Sequence, residues 1–526
     1  MRKKINVGVI HSLSGTMSFS ESPLVDAALM AIDEINQSGG VLGAQVKPIV
    51  EDCASDAETY NLKATRLIKR NGIVHFFGCW TSASRKAVKP VVEAHNALLW
   101  YPVQYEGLEE SPNIVYTGNC LNQQIEPAVE WAARHLGKTC YLVGSDYVFP
   151  KTANRLIRTL GRRNGMQVVG EQYLPLGAEN FQRLVEEIIQ KNPDVVFNTI
   201  NGDSNIAFYY FLNRSGNKPE RIPVMAFSIG EVELKDIGPS AVGHYVCSGY
   251  FQCLDTSENR EFIRRFKNHY GRNRVVSDPV VSAYLQPFLW KRLVEKCNTF
   301  NVSVLKKHIG GIAHKGPSGT IALHPNHHAI KPALIGKVNP DLQFDLIWQH
   351  DQWIEPLPWL GLEKIELPAK EMIKDALAAF PEALDFAGKL NEQLEKRKQA
   401  ELELKKEKSA VKNFKTRYQA LLSTISAGIV IVDASTGLIR DCNPWFEDLI
   451  GKNRAVLKKQ CIWELAPVDQ WDSARRHILE INSFSDVKSR RIVFCGSDGR
   501  KTVCRIQNSK IKVNGKSMLQ CIIHSI

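Results

Sequence analysis

The stretch GCWTSASRKAVKPVVEAHNALLWYPVQYEG, residues 78–107, decides the fold of this chain. The apolar run at residues 73–77 predicts a buried parallel strand, and Gly78 ends it. A helix follows with its valines on one side, and residues 97–100 predict the next buried strand. This order of strand, helix and strand is typical of an open α/β sheet.

Polar and aromatic loops follow these two strands. The first loop carries Trp80 and Ser82, and the second carries Tyr101, Gln104 and Tyr105. Because ligands of open α/β sheets lie outside the carboxyl ends of strands, both loops should face one crevice. Aromatic rings with hydroxyl and amide groups suit a small, polar, uncharged molecule. The alternative is that Trp80 and Tyr101 are ordinary core aromatics.

The motifs GCWTSASRKAV and YPVQYEGLEESPNIVYTG resemble those of the binding proteins for urea and short-chain amides. That family includes the solute receptors of urea transporters and the amide sensor that regulates expression of aliphatic amidase. The resemblance covers residues 5–360. It extends, in family order, to further motifs: HSLSGTM, LNQQIEPAVEW, GSDYVFP, NGDSN and NHHAIKPALIG. It implies a two-lobed fold of the periplasmic-binding-protein type 1.

Length and charge exclude several classes of protein. At 526 residues, the chain should hold more than one domain with an ample core. The formal net charge of +12 indicates some basic surface, but the sequence contains no nucleic-acid-binding motif, so we expect no direct contact with nucleic acid. No apolar run approaches the ~20 residues of a membrane-spanning helix, so we expect no membrane partner.

The N-terminus and the cysteines indicate a cytoplasmic protein. The basic residues 1–4 lead directly into the first strand at Ile5, without the apolar segment of a signal peptide. The 12 cysteines are scattered, and no CxxC motif occurs. In a chain without a signal peptide, such cysteines are expected to be reduced thiols.

Strand and helix patterns alternate throughout residues 1–365, which we predict to be a ligand-binding domain. Such alternation predicts doubly wound parallel sheets, and the segment is too long for one sheet. We therefore predict two lobes joined by hinge strands, as the resemblance also implies. The first lobe would hold the start of the chain and a return near residues 250–330, and the second would hold residues 120–248.

Loops at strand ends of the second lobe carry further candidate ligand-binding residues: Tyr147, Asn201, Asp203 and Glu231. An amide offers NH donors and one carbonyl acceptor. Asp203 and Glu231 can accept from its NH₂, while Ser82 can donate to its carbonyl. Because an unpaired buried polar group costs ~1–3 kcal/mol, such a site rejects apolar ligands of the same shape.

Each of these carboxylates has an alternative role. Asp203 could be a turn residue or a helix cap, and Glu231 could be an exposed glutamate in the first turn of a helix. The resemblance in NGDSN favours ligand binding by Asp203. It also implies an acidic residue near the position of Glu231, as in the urea receptors.

No residue pattern indicates a metal site or an enzyme. The segment HPNHH at residues 324–328 contains three histidines, but a loop triplet does not guarantee the geometry of a metal site. The resemblance implies no metal there. Asp146 and Ser145 have no histidine that is positioned to act as a base, so no catalytic triad is predicted.

Residues 366–417 are predicted to be a helical linker. A helix is expected from Pro368 to Ala387, followed by Gly388 and then a segment rich in Lys and Glu without Pro or Gly. Two series of residues in this segment are each spaced seven apart. The first is Leu390, Arg397, Leu404, Val411, Tyr418 and Ile425; the second, three residues after members of the first, is Ala400, Glu407, Phe414 and Leu421. This imperfect heptad predicts a parallel dimeric coiled coil, and the alternative is a single solvated helix.

Residues 418–526 resemble a PAS domain, which implies an α+β fold. The resemblance rests on a strand at residues 428–433, a short helix that begins at Asn443, and strands around the GSDGR turn at residues 496–500. Some PAS pockets hold haem or flavin. His477 is an isolated helix histidine and the cysteine motif for flavin is absent, so we predict no cofactor.

These features together predict a cytoplasmic sensor. Binding of urea or a short-chain amide between the lobes would shift an equilibrium between open and closed forms, and the coiled coil would pass the change to the PAS domain. We expect a homodimer and an unidentified signalling partner protein, with a role in expression of amide or urea metabolism genes. The alternatives are an exported transport receptor and a receptor for a branched-chain amino acid, whose carboxylate and ammonium groups both need charged partners.

Overall fold

The computed structural model of this chain describes residues 3–367, 369–479, 488–513 and 515–526. Within these ranges, the side chains of residues 381, 382, 384–392, 395, 419 and 488 are not described. The chain divides into two compact units, Met1–Asn391 and Glu392–Ile526. None of the described helices is both long and apolar enough to cross a bilayer.

The first unit contains two lobes, each built on its own sheet. The first lobe has a five-stranded, fully parallel sheet in the order β2-β1-β3-β4-β5. Its strands are β1 Lys4–His11, β2 Gln45–Asp52, β3 His75–Gly78, β4 Leu98–Tyr101 and β5 Ile114–Tyr116. The helices between them are α1 Ser18–Gln37, α2 Ala57–Asn71 and α3 Ser82–Ala94.

The second lobe begins with α4 Leu121–His135 and alternates strands with helices. Its strands are β6 Thr139–Ser145, β7 Gln167–Leu174, β8 Val195–Thr199, β9 Val224–Ala226 and β10 Tyr245–Ser248. Its other helices are α5 Val148–Arg163, α6 Gln182–Lys191, α7 Ser204–Arg214 and α8 Glu231–Ile237. These strands are parallel, because each is connected to the next through a helix.

The chain then returns to the first lobe. The returning elements are α9 Ser257–Tyr270, α10 Asp278–Cys297, α11 Val302–Leu305 and a small antiparallel sheet of β11 Ala313–Gly316, β12 Gly319–Leu323 and β13 Ala329–Ile330. Tyr284 of α10 donates a hydrogen bond to Glu34 of α1 at 2.7 Å, and both helices contribute to the first-lobe core.

Two antiparallel strands, β14 Leu334–Val338 and β15 Phe344–Gln349, complete the second sheet. Its order is β15-β14-β10-β9-β8-β6-β7, so it is mixed rather than purely parallel. The prediction of two lobes with doubly wound sheets is confirmed, with this antiparallel edge as an addition. The chain crosses between the lobes three times, after β5, β10 and β13.

One helix, α12 Lys370–Thr424, runs through 55 residues. It passes through Gly388, where the sequence predicts the end of a first helical segment. The predicted start at Pro368 and the side chain of Leu390 lie outside the described residues. The apolar heptad residues that are described are exposed: Leu404, Val411, Phe414, Tyr418, Leu421 and Ile425. The helical linker is thus confirmed, whereas its pairing with a second copy stays a prediction.

The second unit carries an antiparallel five-stranded sheet in the order β17-β16-β20-β19-β18. Its elements are β16 Gly428–Asp433, β17 Ile439–Cys442, α13 Pro444–Ile450, α14 Arg454–Leu457, α15 Trp471–Leu479, β18 Lys488–Cys495, β19 Lys501–Val513 and β20 Lys516–Ser525. As predicted, the short helix α13 begins at the Asn-Pro pair. The Asn443 side chain caps it and also accepts a hydrogen bond from the backbone N–H of Ile429 at 2.9 Å.

Candidate ligand-binding cleft

The first-lobe wall of the cleft is set by the start of α3. The Thr81 side chain caps this helix by accepting from the N–H of Ser84 at 3.1 Å. The first helical turn therefore carries Ser82 and Arg85 on one side, three residues apart. Ser82 Oγ donates to Glu106, and it also accepts from Arg85 Nη1 at 3.1 Å.

Arg85 is the centre of a buried ionic cluster. Its Nη2 lies 2.9 Å from Glu106 Oε1, and its Nε lies 2.9 Å from Glu109 Oε1. All three side chains are at most 2% exposed. Burial by itself would raise the pKa of Glu109, but Arg85 and Lys86 beside it hold that pKa well below its usual range. The positive charge of Arg85 is thus matched by two carboxylates.

Aromatic side chains enclose this cluster. The Arg85 guanidinium lies 5.0 Å from the ring centroid of Tyr101 and 4.5 Å from that of Tyr105. The Tyr101 hydroxyl donates to the backbone carbonyl of Trp80, and the Tyr105 hydroxyl is hydrogen-bonded to His328 Nε2. Trp80 and Tyr101 belong to the first-lobe core, which agrees with the alternative that they are core aromatics. Both also lie at strand ends.

Gln104 joins the two lobes directly. Its Nε2 donates to the Phe227 carbonyl and to Ser228 Oγ, both at 3.1 Å and both at the end of β9. A second bond of this kind runs from Ser20 Oγ to Glu233 Oε1 at 2.7 Å. The predicted ligand-binding amide of Gln104 therefore holds the lobes in contact.

Asn201 and Tyr147 differ in what they contact. The Asn201 side chain donates to the carbonyl of Thr199 at 3.1 Å, and its backbone N–H donates to Ser145 Oγ at 3.0 Å. Asn201 thus shapes its own loop. Tyr147 precedes α5 and lines a cavity between the lobes.

The two second-lobe carboxylates have unsatisfied oxygens. Asp203 stands at the N-cap position of α7 but makes no capping bond, and its buried Oδ1 has no hydrogen-bond partner among the described residues. Burial raises the pKa of Asp203. The helix-cap alternative is therefore wrong for its side chain, whereas its backbone lies in the turn before α7, as the turn alternative holds.

Glu231 is 1% exposed, so the alternative of an exposed first-turn glutamate is wrong. Its Oε1 accepts from the backbone N–H of Gln252 at 2.5 Å, while Oε2 has no partner in the described part of the chain. Burial raises the pKa of Glu231 to about 8. The carboxyl is therefore largely protonated at neutral pH.

The cavity between the lobes has a volume of about 120 Å³. Its lining comes from both lobes: Met17, Glu21, Ser55, Ala57, Tyr60, Thr81, Ala83, Ser84, Tyr147 and Leu176. Of the predicted residues, Tyr147 lines this cavity. Ser82 does not line it, but its neighbours Thr81 and Ala83 do. The structure brings Trp80, Ser82, Tyr101 and Tyr105 together on the first-lobe wall. It places Asp203 and Glu231 outside the lining of this cavity.

Three charged members of the site were not predicted from sequence: Arg85, Glu106 and Glu109. A signal was present, because Arg85 follows Ser82 by one helical turn and the segment EGLEE at residues 106–110 follows Tyr105 directly. A second missed group is the buried Glu21, which accepts from the Tyr60 hydroxyl at 2.6 Å and from the N–H of Ser12 at 3.0 Å.

Comparison with known families identifies the first unit. Residues 5–364 match the family described as periplasmic binding protein domain. The chain belongs to this periplasmic binding protein family. Residues 416–484 also match the family described as PAS domain. Both matches agree with the two parts of the fold.

The relatives of this chain match different lengths of it. It is 21% identical over 337 residues to a Leu/Ile/Val-binding protein homolog 6 from Brucella melitensis, covering 62% of this chain and 85% of that protein. It is 35% identical over 135 residues to a limonene hydroxylase from Geobacillus stearothermophilus, covering 25% of this chain. The chain spans only 24% of the length of that hydroxylase.

Solved structures share the fold of the two lobes. A solute-binding protein of an ABC transporter from Rhodopseudomonas palustris HaA2, in complex with p-hydroxybenzoic acid, matches with a TM-score of 0.63 at 20% identity, covering 69% of this chain and all of that one. A leucine-binding protein from Thermotoga maritima matches with a TM-score of 0.59 at 16% identity, covering 66% of this chain and 98% of that one.

Proposed function

We propose that this protein is a cytoplasmic sensor that binds urea or a short-chain aliphatic amide between its two lobes. The observation that carries the proposal is the pairing of Arg85 with Glu106 and Glu109. A ligand carboxylate would have to compete with two buried carboxylates for this cation. A neutral ligand meets no such competition.

The unsatisfied polar atoms of the predicted residues suit an amide. Asp203 Oδ1 is a buried acceptor, whereas Trp80 Nε1 and Glu231 Oε2, the oxygen that carries the proton of the neutral carboxyl, are buried donors; none of the three has a partner among the described residues. Because buried polar groups are normally hydrogen-bonded, such atoms favour a ligand with both NH donors and a carbonyl acceptor. Urea and acetamide have this composition. The interlobe cavity, at about 120 Å³, is also below the volume usual for larger ligands.

The second candidate function is a receptor for a branched-chain amino acid. The names of the Brucella relatives favour it. Such a ligand needs an anionic partner for its ammonium group. Glu231 is a candidate for this partner, but burial raises its pKa to about 8. Binding leucine there would require loss of that proton, whereas binding an amide would not.

The signalling part of the proposal rests on α12 and the PAS domain. We propose that α12 pairs with a second copy through its exposed apolar residues and that the PAS domain contacts a signalling partner protein, in regulation of amide or urea metabolism. The 12 cysteines are free, which suits the reducing cytoplasm. The alternative is a solute receptor of an ABC transporter, the role named for several of the similar solved structures.

A thermal shift measurement tests ligand binding. Acetamide or urea should raise the melting temperature, because a ligand that binds only the folded state stabilises it. The double variant Ser82→Ala with Tyr101→Phe removes two hydroxyls at the first-lobe wall and should abolish the shift. The control Tyr284→Phe removes a hydroxyl that is hydrogen-bonded to Glu34, away from this wall. This variant should keep the thermal shift.

A full shift in the double variant would overturn the placement of the site on this wall. The proposal also excludes catalysis, so incubation of the protein with acetamide should release no ammonia.

Light scattering tests the dimer. Leu404→Lys with Val411→Lys places two charges per helix in the proposed seam, and separation of the chains relieves them. The expected result is a dimer for the wild type and a monomer for the variant. The control Arg397→Lys with Lys405→Arg keeps the charge and should remain dimeric. A double variant of Leu404 and Val411 that stays dimeric would contradict pairing through α12.

A further inference from the structure

The segment at residues 106–110, EGLEE, has side chains on two opposite sides. Glu106 and Glu109 face Arg85, beneath the candidate ligand-binding wall. Leu108 and Glu110 contact the segment that precedes α12. The Leu108 N–H donates to the Pro358 carbonyl at 2.8 Å, and Glu110 Oε2 accepts from Trp359 Nε1 at 3.1 Å.

The same segment reaches the first turns of α12. Lys374 Nζ lies 3.7 Å from Glu110 Oε2 and 5.7 Å from the centroid of the Trp359 ring. Leu108 also lines an apolar cavity of about 420 Å³ together with Leu377 and Phe380 of α12. Five consecutive residues therefore contact both the cleft wall and the base of the long helix.

The backbone of this segment is held in an unfavourable conformation. Gly107 has φ +66° and Leu108 has φ +54°, and the left-handed region is rare for a leucine. A Cβ on Gly107 would lie 2.6 Å from the carbonyl oxygen of Pro358, so the two backbones are in close contact. Strained residues persist where the surrounding contacts determine the conformation, and they are concentrated at ligand clamps and switches.

We infer that residues 106–110 couple the ligand cleft to α12. A ligand that engages Ser82 changes the hydrogen bond from Ser82 to Glu106, and the strained segment passes this change to Leu108 and Glu110. The inference rests on the proposed function, since it concerns the same cleft.

Amide hydrogen exchange of the full chain tests the coupling, with Leu108→Asn and Leu360→Asn as a matched pair. Asparagine tolerates the left-handed conformation and removes the apolar contact. Leu360 also has positive φ, at +57°, and lines the same cavity, but it lies outside the EGLEE segment. Calorimetry on the same preparations reports binding of acetamide and urea.

In the wild type, bound acetamide should slow exchange at residues 370–380, and Leu108→Asn should abolish this response while Leu360→Asn keeps it. Without ligand, Leu108→Asn should accelerate exchange about three- to ten-fold at residues 82–85 as well as at 370–380, whereas Leu360→Asn should affect residues 370–380 alone. Identical patterns for the two variants would overturn the coupling. Absence of acetamide and urea binding would refute the proposed function, and the ligand-free comparison would still decide the coupling.

Discussion

The acidic and basic side chains of the two lobes differ in how their hydrogen bonds are satisfied. On the first-lobe wall, Arg85, Glu106 and Glu109 are paired with one another, and Ser82 is hydrogen-bonded to two of them. In the second lobe, Asp203 and Glu231 each have a buried oxygen without a partner among the described residues. The first wall is therefore organised by internal contacts, whereas the second-lobe carboxyls have hydrogen-bonding capacity to spare.

This difference suggests a division of roles. A wall of paired charges keeps its shape before a ligand arrives, which reduces the ordering cost of binding. Unsatisfied polar groups favour a ligand that supplies the missing partners, because an unmade buried hydrogen bond costs free energy. We therefore expect loss of a paired charge in the first wall to change stability. Substitutions in the second-lobe carboxyls should change ligand affinity or the pH dependence of stability.

The largest effect is expected for Arg85→Met. This change leaves Glu106 and Glu109 buried without their cation, and breaking a buried ion pair in this way costs about 3–5 kcal/mol of the free energy of unfolding. Chemical denaturation with guanidinium measures it. The control Lys63→Met breaks a partly exposed pair with Glu51 and should cost below about 1 kcal/mol. A similar small loss in both variants would contradict the account of the first wall.

The next effect is a pH dependence at Glu231. Burial raises its pKa from 4.5 to about 8 in the folded state, so folding takes up a proton between these values. Its contribution to stability is full below pH 4.5 and is lost as pH rises through 8. Glu231→Gln removes this titration. As pH rises from 5 to 8, the free energy of unfolding of the variant should therefore increase by about 2–4 kcal/mol relative to that of the wild type.

Guanidinium denaturation at both pH values measures the difference. Glu233 and Asp278 are the carboxyls near Glu231, and both are present in each protein. A difference between variant and wild type that does not change with pH would show that Glu231 is ionised when folded.

A smaller effect is expected at Asp203. If its carboxylate accepts from the ligand, Asp203→Asn should weaken acetamide binding by roughly ten-fold to a hundred-fold, the equivalent of a charge-assisted hydrogen bond. Since Asp203 makes no capping bond, Asp203→Ala should not lower the stability of the ligand-free protein. Asp56 is a matched control, because it caps α2 by accepting from the N–H of Thr59 at 2.7 Å.

Titration calorimetry and ligand-free melting are measured for each variant. Asp56→Ala should lose ~1 kcal/mol of stability and keep its affinity. Unchanged affinity in Asp203→Asn would show that Asp203 does not contact the ligand.

The fold could be predicted from sequence because the apolar runs of β3 and β4 and the loops after them are local signals. The partners of Arg85 could not, because Glu106 and Glu109 come from a loop more than 20 residues away, and charged residues near a helix start are usually solvated. The length of α12 was also missed at Gly388. A single glycine costs a helix only ~1 kcal/mol, which its helix-forming neighbours outweigh.

The unsatisfied oxygens of Asp203 and Glu231 were equally beyond prediction. Sequence identified both as acceptors at strand ends, and the alternatives of cap and exposed glutamate were equally compatible with their positions. Only the burial of Glu231 and the missing capping bond of Asp203 decide between these alternatives.

Isothermal titration calorimetry of the full-length protein with acetamide, urea and leucine tests the central claim most directly. A site whose cation is already paired, and whose spare groups include both a donor and an acceptor, should bind a neutral amide and reject a zwitterion. We predict saturable heat with acetamide or urea and none with leucine. Saturable binding of leucine, with no heat from either amide, would contradict the account.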